Sequence, residues 1–112
     1  MKQNVAATLT AAVVSTPQDA GTIATGTYTP SPVSGNFKKY VNGGAHTLAA
    51  PVLAGNYSMV IQITNNATAG AITFTGFAKI IGDVLTTTNA QLFQICLTKT
   101  DGGVVAAVVA MQ

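Results

Sequence analysis

The chain has 112 residues, five Lys and three Asp, a net charge of +2 and 7% charged residues, where an average soluble domain carries about 25%. Arg, Glu and Trp do not occur, and there is one His and one Cys. This excludes a broad basic footprint for nucleic acid, a multi-cysteine metal centre and an internal disulfide, and removes most side chains used in acid–base catalysis. The length fits a single domain with its own core.

The start, Met1-Lys2 followed by Val5–Val14, has the outline of a signal peptide. Threonines interrupt it and it lacks a Leu/Ile centre, so it reads as an arm or first strand. Residues 1–35 carry Pro17, Pro30 and Pro32 among Ala, Thr, Ser and Gly. They form an N-terminal arm or extended leader, either loosely structured or reaching a neighbouring subunit. Within it, Asn4–Ser15 is β-branched enough for a strand and Thr22–Thr29 reads as extended. Residues 36–112 make the β domain. Phe37–Val41 is a strand closed by the turn Asn42-Gly43-Gly44, and Ala45–Ala49 stops before Pro51. Tyr57, Met59, Ile61 and Ile63 alternate with Ser58, Val60, Gln62 and Thr64, giving a strand with one buried face. Ala71–Thr75 and Phe77–Ile81 flank Gly76. Gln91–Lys99 places Phe93, Ile95 and Leu97 on one face, and Asp101-Gly102-Gly103 turns it into Val104–Met111. That last run is apolar on both faces, so it is a central strand or a strand at a subunit contact. No internal repeat is visible. Short strands separated by turn residues predict an all-β fold, an antiparallel β-sandwich or barrel with an extended N-terminal arm.

The candidate chemical groups are few. Gly21-Thr22-Ile23-Ala24-Thr25-Gly26 has the glycine spacing of a phosphate loop, but Thr27-Tyr28 follows where Lys-Ser/Thr is needed. His46 would need Ser15, Ser31, Ser34 or Ser58 together with Asp19, Asp83 or Asp101 to form a triad, and there is no nucleophile elbow. It reads as a hydrogen-bonding residue at a strand start. Cys96, between Ile95 and Leu97, reads as a buried structural thiol. Lys38 and Lys39 are adjacent on a strand, so they point to opposite faces and belong to a solvated strand. Asn56-Tyr57-Ser58 and Asn66-Ala67-Thr68 match the glycosylation sequon, which matters only in a eukaryotic secretory setting. No catalytic, cofactor-binding or metal-binding residue is assigned, no cofactor is expected, and the chain is not expected to be an enzyme.

From Val41 the chain runs Val41-Asn42-Gly43-Gly44-Ala45-His46-Thr47-Leu48-Ala49-Ala50-Pro51, then Val60-Ile61-Gln62-Ile63-Thr64-Asn65, Ala69-Gly70-Ala71-Ile72, Gly76-Phe77-Ala78-Lys79, Gly82-Asp83 and Leu85-Thr86-Thr87-Thr88-Asn89. This resembles small β-rich virion proteins of tailed bacteriophages and related fibre modules, over residues 37–112. The resemblance implies a structural part of a particle, made in the bacterial host cytoplasm and placed on the virion surface. It implies capsid decoration (a cement protein) on the major capsid protein, or else a tail or tail-fibre component contacting the host. It also implies a homo-oligomer, with a homotrimer expected, and no nucleic-acid or membrane partner. A free ligand-binding β module is the reading from another class. Low charge agrees with burial against neighbours, since Thr, Asn and Gln lose their water more cheaply than ions do when they find hydrogen bonds.

Overall fold

Apolar alternation sets one face of each long strand inward, and the three longest strands build the middle of the molecule. The computed structural model describes residues 17–111. It is all-β, with 55% strand and no α-helix among the described residues. The strands are β1 (Gln18–Ile23), β2 (Thr27–Tyr28), β3 (Phe37–Asn42), β4 (His46–Ala49), β5 (Tyr57–Asn65), β6 (Ile72–Thr75), β7 (Lys79–Gly82), β8 (Leu92–Thr100) and β9 (Gly103–Ala110), with a 3-10 turn at Pro32–Ser34. One sheet has the order β1-β3-β5-β8-β9-β7, and a smaller one has the order β2-β4-β6.

The expected antiparallel sandwich or barrel is corrected in strand direction. Five ladders are parallel (β1/β3, β2/β4, β3/β5, β4/β6 and β7/β9). Only β5/β8 and β8/β9 are antiparallel. Parallel neighbours cannot be joined by a tight hairpin and need a crossover. Here the crossover is itself a strand: the chain leaves the large sheet, adds a strand to the small one, and returns. The result is a solenoid-like stack of coils. The coils differ in length. Gln18 pairs with Lys38, Phe37 with Val60 and His46 with Ile72. No fixed period therefore marks the sequence. The turn at Asp101-Gly102 does join antiparallel neighbours, with Thr100 opposite Gly103.

Of the residues expected to face inward, Met59, Ile61, Ile63, Phe93, Ile95 and Leu97 are buried, and Tyr57 packs partly buried against them. Tyr40, Leu48, Val104, Ala106 and Val108 complete the core. β9 is a central strand, with Val104, Ala106 and Val108 inside and Val105, Ala107 and Val109 outside. Residues 18–28 of the expected arm form β1 and β2 and pair with β3 and β4. The expected strand at Asn4–Ser15 and the segment resembling a signal peptide lie outside the described residues.

The coil corners after β3 and β5 are built on two buried asparagines, Asn42 and Asn65, which are register partners. Asn42 Nδ2 donates to Asn65 Oδ1 (3.1 Å) and to the Gly70 carbonyl (2.8 Å). Asn42 Oδ1 accepts from the N–H groups of Gly44 and Gly70, each at 3.2 Å. Asn65 Nδ2 donates to the carbonyls of Thr86 (2.8 Å) and Thr88 (3.0 Å). Both donors and both acceptor positions of Asn42 are filled. The corner is tight. A Cβ on Gly70 would stand 2.1 Å from Ala45 N, and one on Gly44 would stand 2.6 Å from Ala24 O.

Replacing Asn42 by Ala strands several buried partners, each costing about 1–3 kcal/mol. Asn42→Ala is expected to lower unfolding free energy by at least ~3 kcal/mol in denaturant titrations. Asn66 is outside the buried pair, and its side-chain oxygen bonds locally to Thr68. Asn66→Ala is expected to cost roughly 1 kcal/mol or less. Equal losses in the two variants would refute the role given to the buried pair.

Candidate functional site

β3 carries Tyr40 inward, and β4 starts at His46 just past the Asn42-Gly43-Gly44 corner. The two side chains meet because the corner returns the chain over its own sheet. The His46 ring is buried. Its Nδ1 lies 2.8 Å from the Gly44 carbonyl and its Nε2 lies 2.8 Å from the Tyr40 hydroxyl. A carbonyl only accepts, so Nδ1 carries the proton, and Nε2 accepts from the Tyr40 O–H. Tyr28 stacks edge-on against Tyr40, with ring centroids 5.1 Å apart. Both His46 nitrogens are thus engaged by groups other than Ser or Asp. The position is the strand start expected from the sequence.

Lys38 and Lys39 do point to opposite faces, but the expected solvated strand is corrected for Lys38, which is 6% exposed. Its ammonium donates to the Gln18 side-chain oxygen. It sits in the wall of an open hollow of about 490 Å³ that also touches Asp19, Tyr28 and Ser31. The phosphate-loop spacing runs from the irregular part of β1 into the turn before β2. Gly21 and Gly26 have φ of +78° and +75°, and the Asp19 carboxylate accepts the Gly21 N–H. That carboxylate occupies a backbone donor that a phosphate loop would leave for its ligand. No group of three or more His, Cys, Asp or Glu side chains able to hold a metal occurs among the described residues. No helix among them is long and apolar enough to cross a membrane.

Cys96 is half-buried on the outer face of the large sheet and accepts a 3.6 Å contact from Gln94 Nε2. The buried thiol expected from the sequence is thereby corrected: Cys96 alternates with Ile95 and Leu97, and those two take the inside. Its surroundings were not legible in the sequence. Register places Phe37 beside Val60, Val60 beside Cys96, Cys96 beside Ala107 and Ala107 beside Ile81. This apolar row crosses five strands on the outer face, and its ends, Phe37 and Ile81, are 42% and 45% exposed. The next row along the strands holds Lys39, Gln62, Gln94 and Val109.

No family model, curated protein or solved structure matches this chain. The outer face and the Tyr40–His46 pair are therefore read on their chemistry alone. The pair is a packing element with a polar link, while the outer face is apolar along the row from Phe37 to Ile81.

Burial raises the Tyr40 hydroxyl far above its usual value of 10.0, and the nearby Tyr28 raises it further. The folded state therefore resists ionisation while the unfolded chain ionises near pH 10. Stability is retained below that pH and falls as pH rises beyond it. Tyrosinate absorbance is expected to show Tyr40 ionising only together with unfolding, and Tyr40→Phe is expected to remove part of the alkaline loss. Independent ionisation of all three tyrosines in the folded protein would contradict this.

Proposed function

We propose that this chain is a structural protein of a tailed-bacteriophage particle, a head decoration protein seated on the major capsid protein. One observation carries the reading: large apolar side chains stand outside on a protein with almost no charge to keep it apart from neighbours. Val52 is 92% exposed, Val84 81% and Val33 74%, and Phe37, Ile80, Ile81 and Val109 are also exposed. Such a surface gains by being covered, and neutral polar groups around it add hydrogen bonds at low desolvation cost. Many modest contacts of this sort, repeated at symmetry positions, would hold shell subunits together. The resemblance of residues 37–112 to phage virion proteins supports the same reading.

A tail or fibre component is the second reading. The stacking of β1, β3 and β5 on one side and β2, β4 and β6 on the other favours it, because coils stacked in parallel suit an elongated part. A free ligand-binding module gains less support, since the hollows are open to the outside. Electron microscopy of purified particles, with the chain fitted by its sheet order, is expected to find it on the head. Density confined to the tail would select the second reading, and absence from particles would reject both.

A further inference from the structure

β1 is the edge strand of the large sheet and β2 the edge strand of the small one. Between these edges lies the open hollow of about 490 Å³, with Gln18 from β1, Tyr28 from β2, Thr29 and Ser31 from the segment after it, and Lys38 from β3. Strand parity puts Lys38 in its wall. Lys38 alternates with the exposed Phe37 and Lys39 and shares the inner face with Tyr40 and Asn42.

A lysine is almost never this buried without an anionic partner. The acidic side chains of the chain are Asp19, Asp83 and Asp101, and among the described residues no carboxylate forms an ion pair with Lys38. Its ammonium makes one hydrogen bond, to the Gln18 side-chain oxygen. A neutral amide does not offset what an ammonium loses with its water. Two of the three ammonium N–H groups remain to donate.

The neighbouring groups are donors as well. No described residue hydrogen-bonds the Tyr28 hydroxyl, and burial raises it above its usual value of 10.0, which keeps its proton in place. Tyr40 packs edge-on against Tyr28, but its own O–H goes to His46. Ser31 Oγ accepts from the Val33 N–H at 3.3 Å and keeps its own O–H to donate. Asp19 touches the rim. It alternates with Gln18, stands in register with Lys39 and holds the Gly21 N–H with its carboxylate. One buried cation and two neutral donors match a group with a single negative charge and two oxygens. A phosphate dianion would find only one cation and would be repelled by Asp19.

We propose that the hollow between β1 and β2 binds a carboxylate, held by the Lys38 ammonium and the Tyr28 and Ser31 hydroxyls. The Gln18 oxygen marks the place that one ligand oxygen takes, and Gln18 is exposed, so its side chain has room to turn aside. An open hollow does not enclose a ligand, but it can seat one charged end. That end belongs to a small acid or to a neighbouring chain. Residues 1–16 contain no Asp or Glu and cannot supply it.

The full-length protein is titrated with sodium propionate at constant ionic strength, and backbone-amide and tyrosine-ring NMR shifts are followed. Saturable shifts are expected at Gln18, Tyr28, Ser31 and Lys38. Lys38→Met keeps the stem and removes the charge. It is expected to fold with an unchanged or raised melting temperature and to weaken propionate binding by about tenfold or more. Tyr28→Phe removes a single oxygen and is expected to weaken binding about fivefold, whether or not the Lys38 variant folds. Lys39→Gln, one residue away on the other face, is expected to leave binding unchanged, and inorganic phosphate to bind more weakly than propionate. A short peptide whose only charge is its C-terminal carboxylate separates the sources. Tighter binding than propionate points to a neighbouring chain, equal or weaker binding to a small acid, and either upholds the site. Shifts that grow without saturating would overturn the proposal, as would tighter binding of phosphate or an equal loss in Lys39→Gln and Lys38→Met. The site needs no particle, so these results and the microscopy decide separate questions.

Discussion

Asn42 and Asn65 lie side by side out of reach of water, so the protein must match every polar atom they carry. An unmatched buried amide costs about as much as a large part of a small domain's net stability. Their bonds reach the backbone of Gly44 and Gly70, and the carbonyls of Thr86 and Thr88 in the loop before β8. Meeting that demand ties two successive coils to each other and to the loop that leads into the antiparallel half. Glycine at positions 44 and 70 lets the backbone come close enough to make these bonds.

With the corners held, the strands have little choice of register. β3 lies parallel to β5 from Phe37 opposite Val60 to Asn42 opposite Asn65, and a slip of one residue would turn Tyr40 outward and Lys39 into the core. The same register carries the Tyr40 hydroxyl to His46. It also aligns the outward residues of five strands. Core order and surface pattern are thus two faces of one constraint. The low charge of the chain is consistent with this: an outer face with few ions can be dried against a neighbour without the several kcal/mol that each unpaired ion would cost.

Position in the sheet separates Lys38 from Lys39 more sharply than exposure on an isolated strand would. Lys39 stays on the outer face, while the Lys38 stem passes into the layer between the sheets and its ammonium reaches the Gln18 amide. Long aliphatic stems permit this when the head finds a polar partner. Cys96 illustrates the converse. A small apolar side chain in the middle of a strand reads as core, yet parity with Ile95 and Leu97 sends it outward.

Local alternation determined the strands from Phe37 onward, most of the inward residues of β5 and β8, and the turn at Asp101-Gly102, because side-chain parity and turn chemistry are properties of neighbouring residues. The sparse charge determined that ionic catalysis has few groups to work with. Strand direction was not written locally. A parallel and an antiparallel strand alternate in the same way, and only the path of the chain between the two sheets distinguishes them. The Tyr40–His46 link, the Asn42–Asn65 pair and the row from Phe37 to Ile81 join residues from separate segments at uneven separations. Register between non-neighbouring strands brings them together, so tertiary structure alone decided them.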